Sequence, residues 1–150
     1  CLFDIDGTLL HAAGAGRRAL DRAMAEHFGK SGTLDGMRID GMTDRLIVRE
    51  ALASLSEPFN DHRCNAVLAT YVKNLAEEIR GPSYRVLPGV PALLEQLQAR
   101  GACFGLGTGN IAAGARIKLT RGDLARFFPW DEPNFVAGFG DDGEAREDVL

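Results

Sequence analysis

Apolar positions along the chain fall into two regimes. Cys1-Leu2-Phe3-Asp4-Ile5 is a short apolar run that stops at an acidic, glycine-bearing turn, which predicts a buried strand. After the break at Gly14-Ala15-Gly16 the period changes to that of helices. Leu20, Met24 and Phe28 are four apart within Arg17 to Phe28, and Gly29 stops the pattern. Gly29 to Gly41 reads as loop. Thr43 is a plausible N-cap for a second helix with Ile47, Ala51 and Leu55 on one face, broken at Pro58-Phe59-Asn60. From Asp61 a third helix carries Leu68, Tyr71, Leu75 and Ile79 on one stripe and ends at Gly81-Pro82.

The second half alternates. Pro88 to Arg100 predicts a helix with Leu93, Leu94 and Leu97, ended by Gly101. Ala102 to Gly107 predicts a strand, Asn110 to Leu119 a helix with Leu124 to Phe128 packed behind it, and Phe135 to Phe139 another strand. Helix–strand–helix–strand order argues for a parallel sheet with crossover helices. The expected architecture is therefore a discontinuous α/β core, residues 1–13 and 84–150, with a Rossmann-like parallel sheet. Residues 14–83 form an inserted helical cap. Cys1-Leu2-Phe3 already lies inside an apolar run, and Glu147 to Leu150 resembles the opening of a helix, so the chain is expected to be incomplete at both ends.

Composition narrows the class. Of 150 residues, 45% are apolar and 25% charged, which is ordinary for a globular domain and excludes a disordered or collagen-like chain. No apolar run is long enough to span a membrane. Lys and Arg number 17 against 21 Asp and Glu, a net charge of −4. No basic surplus points to a nucleic-acid partner. Cys1, Cys64 and Cys103 are odd in number and scattered, which favours reduced thiols and a cytoplasmic protein.

Three segments carry candidate chemistry. In Asp4-Ile5-Asp6-Gly7-Thr8-Leu9, two carboxylates two apart leave the carboxyl end of a buried strand on one side. In open α/β sheets that edge is where ligands bind. Close carboxylates repel unless a proton or cation intervenes, and Mg²⁺ fits a small acidic set. An ordinary Asp-Gly turn is the plainer alternative. A calcium loop starting at Asp4 would need glycine at Leu9. Phe104-Gly105-Leu106-Gly107-Thr108-Gly109-Asn110 offers a hydroxyl, unhindered amides and a helix N-terminus, an anion site. The plainer alternative is a glycine-rich strand-to-helix turn. A dinucleotide fingerprint would need glycine at Asn110, and a Walker loop ending at Gly29-Lys30-Ser31 would need glycine at Met24. The acidic stretch Gly138 to Leu150 reads more readily, by itself, as a solvated helix start. His11, His27 and His62 are single and unclustered.

Taken together, these residues resemble the haloacid dehalogenase superfamily of aspartyl-phosphate hydrolases, in its phosphoglycolate-phosphatase-like branch with a C1-type helical cap. Asp4 to Leu9 matches the D-x-D-G-T-L motif at every position, and Phe104 to Thr108 matches the second motif, a strand ending in Ser or Thr. Gly41-Met42-Thr43-Asp44 resembles a cap turn of such proteins. The resemblance implies an Mg²⁺-dependent phosphatase acting on a small phosphorylated metabolite. Asp4 would be the nucleophile and Asp6 the acid–base residue, with the Asp4 carboxylate and the Asp6 main-chain carbonyl forming the metal site. Thr108, Gly109, Asn110 and the third-motif cation would hold the phosphoryl group. Arg146 is the expected cation, with Lys118 the competitor; the fourth-motif carboxylate is expected beyond Leu150, or else at Asp141 or Asp142. Cap residues usually select the substrate, and Arg17, Arg18, Thr43, Asp44 and Arg45 are candidates by position. A phosphomutase, a haloacid dehalogenase, or a non-catalytic binding module that kept the fold are the alternatives. Asp6 favours phosphoryl transfer, because the dehalogenases usually carry D-x-Y.

Overall fold

The computed structural model describes residues 1–143 and 149. Strand β1 (Leu2–Phe3) pairs in parallel with β4 (Gly105–Gly107), which pairs in parallel with β5 (Ala137–Gly138), giving the order β1-β4-β5. Leu2 lies opposite Gly105, and Gly107 opposite Gly138. Helix α5 (Ala112–Arg121) forms the crossover between β4 and β5. The parallel α/β sheet anticipated from the alternation is therefore present.

The strands are shorter than the apolar runs. Ile5 ends the ladder because its carbonyl accepts the N–H groups of Thr8, Leu9 and Leu10, which curls the chain into a turn. Gly105 also shows how tightly the sheet is closed. A Cβ there would lie 1.8 Å from the carbonyl oxygen of Val136, so no side chain fits. Phe104, Phe128, Trp130 and Phe135 pack largely edge to face, and the Trp130 indole N–H donates to the Ala125 carbonyl at 2.9 Å.

Helices α1 (Ala15–Phe28), α2 (Asp44–Ser54) and α3 (Asp61–Glu78) fill the segment between the first two sheet strands. Thr43 caps α2 by accepting from Leu46 N–H, and Asn60 caps α3 by accepting from Arg63 N–H. Ala15, Ala19 and Ala23 give α1 a small-residue face, and Leu20 and Met24 are buried beside it. Burying one such leucine or methionine is worth about 1.5–3 kcal/mol. Across the outer side, Arg18 and Arg22 of α1 pair with Glu77 and Glu78 at the end of α3.

Two findings depart from the sequence pattern. Leu93 is exposed, and α4 (Val90–Ala99) instead buries Val90 and Leu94. Its apolar stripe is narrower than the run of leucines suggests. In addition, both connections to the helical segment are structured. Strand β2 (Leu10–His11) pairs antiparallel with β3 (Arg85–Val86), Leu10 opposite Val86 and His11 opposite Arg85. The chain thus leaves and re-enters the α/β half through one two-stranded ribbon.

Candidate active site

The turn after β1 delivers both Asp4 and Asp6 to a cavity of about 580 Å³. Thr108, Gly109, Asn110 and Lys118 line it from β4 and α5, and Met42, Asp44 and Tyr71 line it from the helical segment. His11, Arg17 and Arg85 lie on its wall as well. The sequence had separated Asp6 and Lys118 by 112 positions; the fold places Lys118 Nζ 2.6 Å from Asp6 Oδ2.

Lys118 is buried because of where α5 puts it. Gly114, Ala115, Lys118 and Leu119 form the inward face of that helix. Gly16 of α1 is open enough to admit the ammonium, which lies 3.6 Å from where a Cβ would stand. A buried ammonium needs partners to offset its desolvation. It donates to Asp6 and also to Asn110 Oδ1 at 2.6 Å. Asn110 in turn donates through Nδ2 to Asp6 Oδ2 at 2.8 Å and to Thr108 Oγ1 at 2.8 Å. Its side chain therefore ties Asp6, Lys118 and Thr108 together. Thr108 Oγ1 accepts from Asn110 and keeps its own hydrogen to donate.

The N-terminus of α5 is also differently used than expected. Ile111 N–H donates to Asp44 Oδ2 at 2.9 Å, and Ala112 N–H donates to Asp141 Oδ2 at 2.7 Å. Two carboxylates thus already complement the helix dipole there. Thr108, Gly109 and Lys118 line the cavity beside this helix start.

Asp44 is the buried acid of the site. Burial pushes its carboxyl up to about 6 from the ordinary 3.8, against the pull of Lys118 and the Ile111 N–H; Asp6 and Asp141 push it the same way as burial. Tyr71 donates to Asp44, and its phenol is raised well above the usual value by burial and by the charges of Asp44 and Asp6. A carboxyl raised on folding favours the folded state at low pH, and that contribution is lost as pH rises through the folded value. A shift of about two units corresponds to about 3 kcal/mol. We predict that Asp44→Asn becomes relatively more stable than the natural protein by most of this amount between pH 4 and pH 7. Chemical denaturation of both proteins at the two pH values checks this; a constant difference between them would contradict it.

The other sequence-derived candidates sort clearly. Arg146 lies outside the described residues, whereas Lys118 is in the cavity. Asp141 caps α5, Asp142 accepts from Phe139 N–H, and neither lines the cavity. Arg17 reaches the wall but spends its guanidinium on the carbonyls of Leu34 and Met37, bracing the loop before α2. Arg18 pairs with Glu78 and Arg45 with Asp61, both away from the cavity. Thr43 caps α2, while Asp44 faces the site. The arrangement around Asn110 and the contribution of Tyr71 were not legible from the sequence. Lys118 had a signal: its register with Ile111, Ala115 and Leu119 places a charge on the buried face of a helix, where charges rarely sit unless they are paired.

Among the described residues no three His, Cys, Asp or Glu side chains converge as a metal site. Asp4 and Asp6 nevertheless share the cavity, and Mg²⁺ commonly takes only one or two carboxylates together with waters and substrate phosphate. The pair fits such an ion. Among the described residues no helix is long and apolar enough to cross a membrane.

Residues 1–130 match the family described as haloacid dehalogenase-like hydrolase. A hydrolase from Pseudomonas syringae is 21% identical, with 96% of this chain and 62% of that chain covered at a TM-score of 0.67. A predicted phosphoglycolate phosphatase from Haemophilus somnus is 17% identical over 90% of this chain and 64% of that one, with a TM-score of 0.58. CbbY from Rhodobacter sphaeroides, solved in complex with phosphate, is 15% identical over 83% of this chain and 58% of that one, with a TM-score of 0.65. The chain thus spans roughly three-fifths of the length of these solved structures. No curated protein matches it.

Proposed function

The chain belongs to the haloacid dehalogenase-like hydrolases, and on that premise we propose that the protein is a phosphatase that hydrolyses a small phosphomonoester through an aspartyl-phosphate on Asp4. The observation that carries this reading is the convergence of Asp4, Asp6, Thr108 and Lys118 on one cavity, with Asp6 and Lys118 in direct contact.

Each residue has a physical task. An Asp4 carboxylate oxygen attacks phosphorus, and the bond to the substrate oxygen breaks. Asp6 gives that leaving oxygen a proton. In the second half Asp6 takes a proton from water as the water oxygen attacks the aspartyl-phosphate, and phosphate leaves with Asp4 restored. One general acid–base group serving both halves is worth about 10²–10⁴ in rate. Lys118 and Asn110 both donate to Oδ2 of Asp6, which leaves Oδ1 for the proton traffic. The Thr108 hydroxyl and the Lys118 ammonium hold the phosphoryl oxygens, where negative charge is spread in the transition state. The Asp4 carboxylate and the main-chain carbonyl of Asp6 would hold Mg²⁺, which when bound supplies charge neutralisation at the phosphoryl group. The helical segment, residues 14–83, acts as a cap over the cavity, and its residues restrict which ester enters. We place the protein in the cytoplasm with a phosphorylated metabolite as its partner.

The test is hydrolysis of an aryl phosphate by the full-length protein, with Mg²⁺ and with excess chelator. Turnover with Mg²⁺ and its loss in chelator is the expected result. Turnover that persists in chelator would remove the Mg²⁺ requirement. No turnover of any phosphomonoester would favour a binding module that kept the fold.

A further inference from the structure

The helical segment and the phosphate-facing loop are joined at one place. Asp44 N–H donates to Gly109 O at 2.8 Å, and Asp44 Oδ2 accepts from Ile111 N–H at 2.9 Å. These two bonds bracket Asn110, the side chain that orders Asp6, Lys118 and Thr108. The backbones are in close contact as well: a Cβ on Gly109 would lie 2.5 Å from Met42 O and 3.2 Å from the Cα of Thr43. Asp44 is buried, and it is reached by Tyr71 from α3. A carboxylate buried at a contact between two bodies, with its hydrogen bonds aimed at a catalytic loop, does more than fill space.

We infer that Asp44 is a positioning residue of the helical segment: by gripping the backbone on either side of Asn110, it sets the active shape of the Thr108–Ile111 loop. The inference rests on the phosphatase reading above. Its physical content is that Gly109 and the Asn110 side chain hold their places only while Asp44 is docked. Loss of the grip releases the loop, and small displacements of positioned groups cost up to about 10² in rate. The transition state suffers more than the bound substrate, because Thr108 and Lys118 must meet the phosphoryl oxygens most closely there.

The experiment compares the full-length protein with Asp44→Ala, Asp44→Asn and Gly109→Ala. The readouts are kcat and KM for an aryl phosphate, the affinity for inorganic phosphate by calorimetry, and thermal stability. Asp44→Ala is expected to lower kcat by about 10- to 100-fold with a smaller change in KM, and to weaken phosphate binding. Asp44→Asn keeps an oxygen that accepts the Ile111 N–H, and is expected to recover most of the kcat. Gly109→Ala pushes Met42 away and should reproduce the Asp44→Ala defect; the Asp44→Ala/Gly109→Ala pair should be no worse than the worse single variant, since both break one docking. A kcat like that of the natural protein in Asp44→Ala, with only lower thermal stability, would overturn the inference. So would an Asn variant no better than Ala, or full additivity of the pair. If Asp44→Ala does not fold, Asp44→Asn and Gly109→Ala decide alone: a kcat for Gly109→Ala equal to the natural one rejects the proposal. Failure of the natural protein to hydrolyse any phosphomonoester would instead reject the phosphatase reading, so the two failures are distinguishable.

Discussion

Asp4→Asn is expected to abolish turnover, lowering kcat by roughly 10⁴-fold or more, the scale on which loss of a covalent nucleophile is felt. An amide has no anionic oxygen with which to attack phosphorus. The fold should survive, because Asp4 Oδ1 accepts its hydrogen bond from Ile5 N–H and an asparagine oxygen can accept the same bond. Trapping of radiolabelled phosphate on the natural protein, and its absence in the variant, checks the covalent step separately from turnover. The simple-turn reading of Asp4 to Leu9 makes the opposite prediction, with little change in rate. A near-natural rate for the variant would remove Asp4 as nucleophile.

The second large effect is that of Lys118. Lys118→Ala should lower kcat by about 10²–10³, the usual consequence of removing a donor to developing charge. Stability should fall far less than activity. Asp6 is about half exposed, at 45% of its side-chain surface, so water takes over when the ammonium goes. Asn110 Oδ1 is buried and loses its donor, at a cost of about 1–3 kcal/mol, partly offset because a buried ammonium no longer has to be desolvated. Lys118→Arg should not restore the rate, since the site is closed in by Gly16 and Tyr71 and suits a compact ammonium. Denaturation curves beside turnover measurements decide the matter. Full activity in Lys118→Ala would return the role to Arg146 or another cation.

Much of this was visible in the residues alone. Asp4 and Asp6 announce themselves because an acidic pair at the mouth of an apolar run has few structural uses. The alternation after Pro88 was equally plain, since each crossover helix ends on its own glycine or turn. What escaped was chemistry made by long-range contact. Asp44 and Ile111 are 67 positions apart, and only the folded chain makes one the acceptor for the other. Asn110 sits in the right loop, but its role depends on Asp6 and Lys118, which only the fold brings to it. The ribbon of β2 and β3 has two residues per strand, too few to show a period. Leu93 misled because three nearby leucines suggest a wider apolar face than α4 presents. Gly109 was legible as an anion-site glycine, but its need for a missing side chain comes from Met42, far away in the chain.

That short ribbon has a consequence for how the protein could be rebuilt. Leu10 lies directly opposite Val86 and His11 opposite Arg85, so the departing and returning chains are neighbours at about 4.5–5.5 Å between Cα atoms. Everything between them is joined covalently to the α/β half through this one ribbon. A tight two-residue turn such as Asn-Gly spans that gap in an ordinary hairpin. Another insert joined at the same two positions would not re-thread a strand of the sheet, but it would have to supply anew the contacts that Met42 and Asp44 make with Gly109 and Ile111. Closing a longer graft costs little, about 0.6 kcal/mol for each doubling of its length.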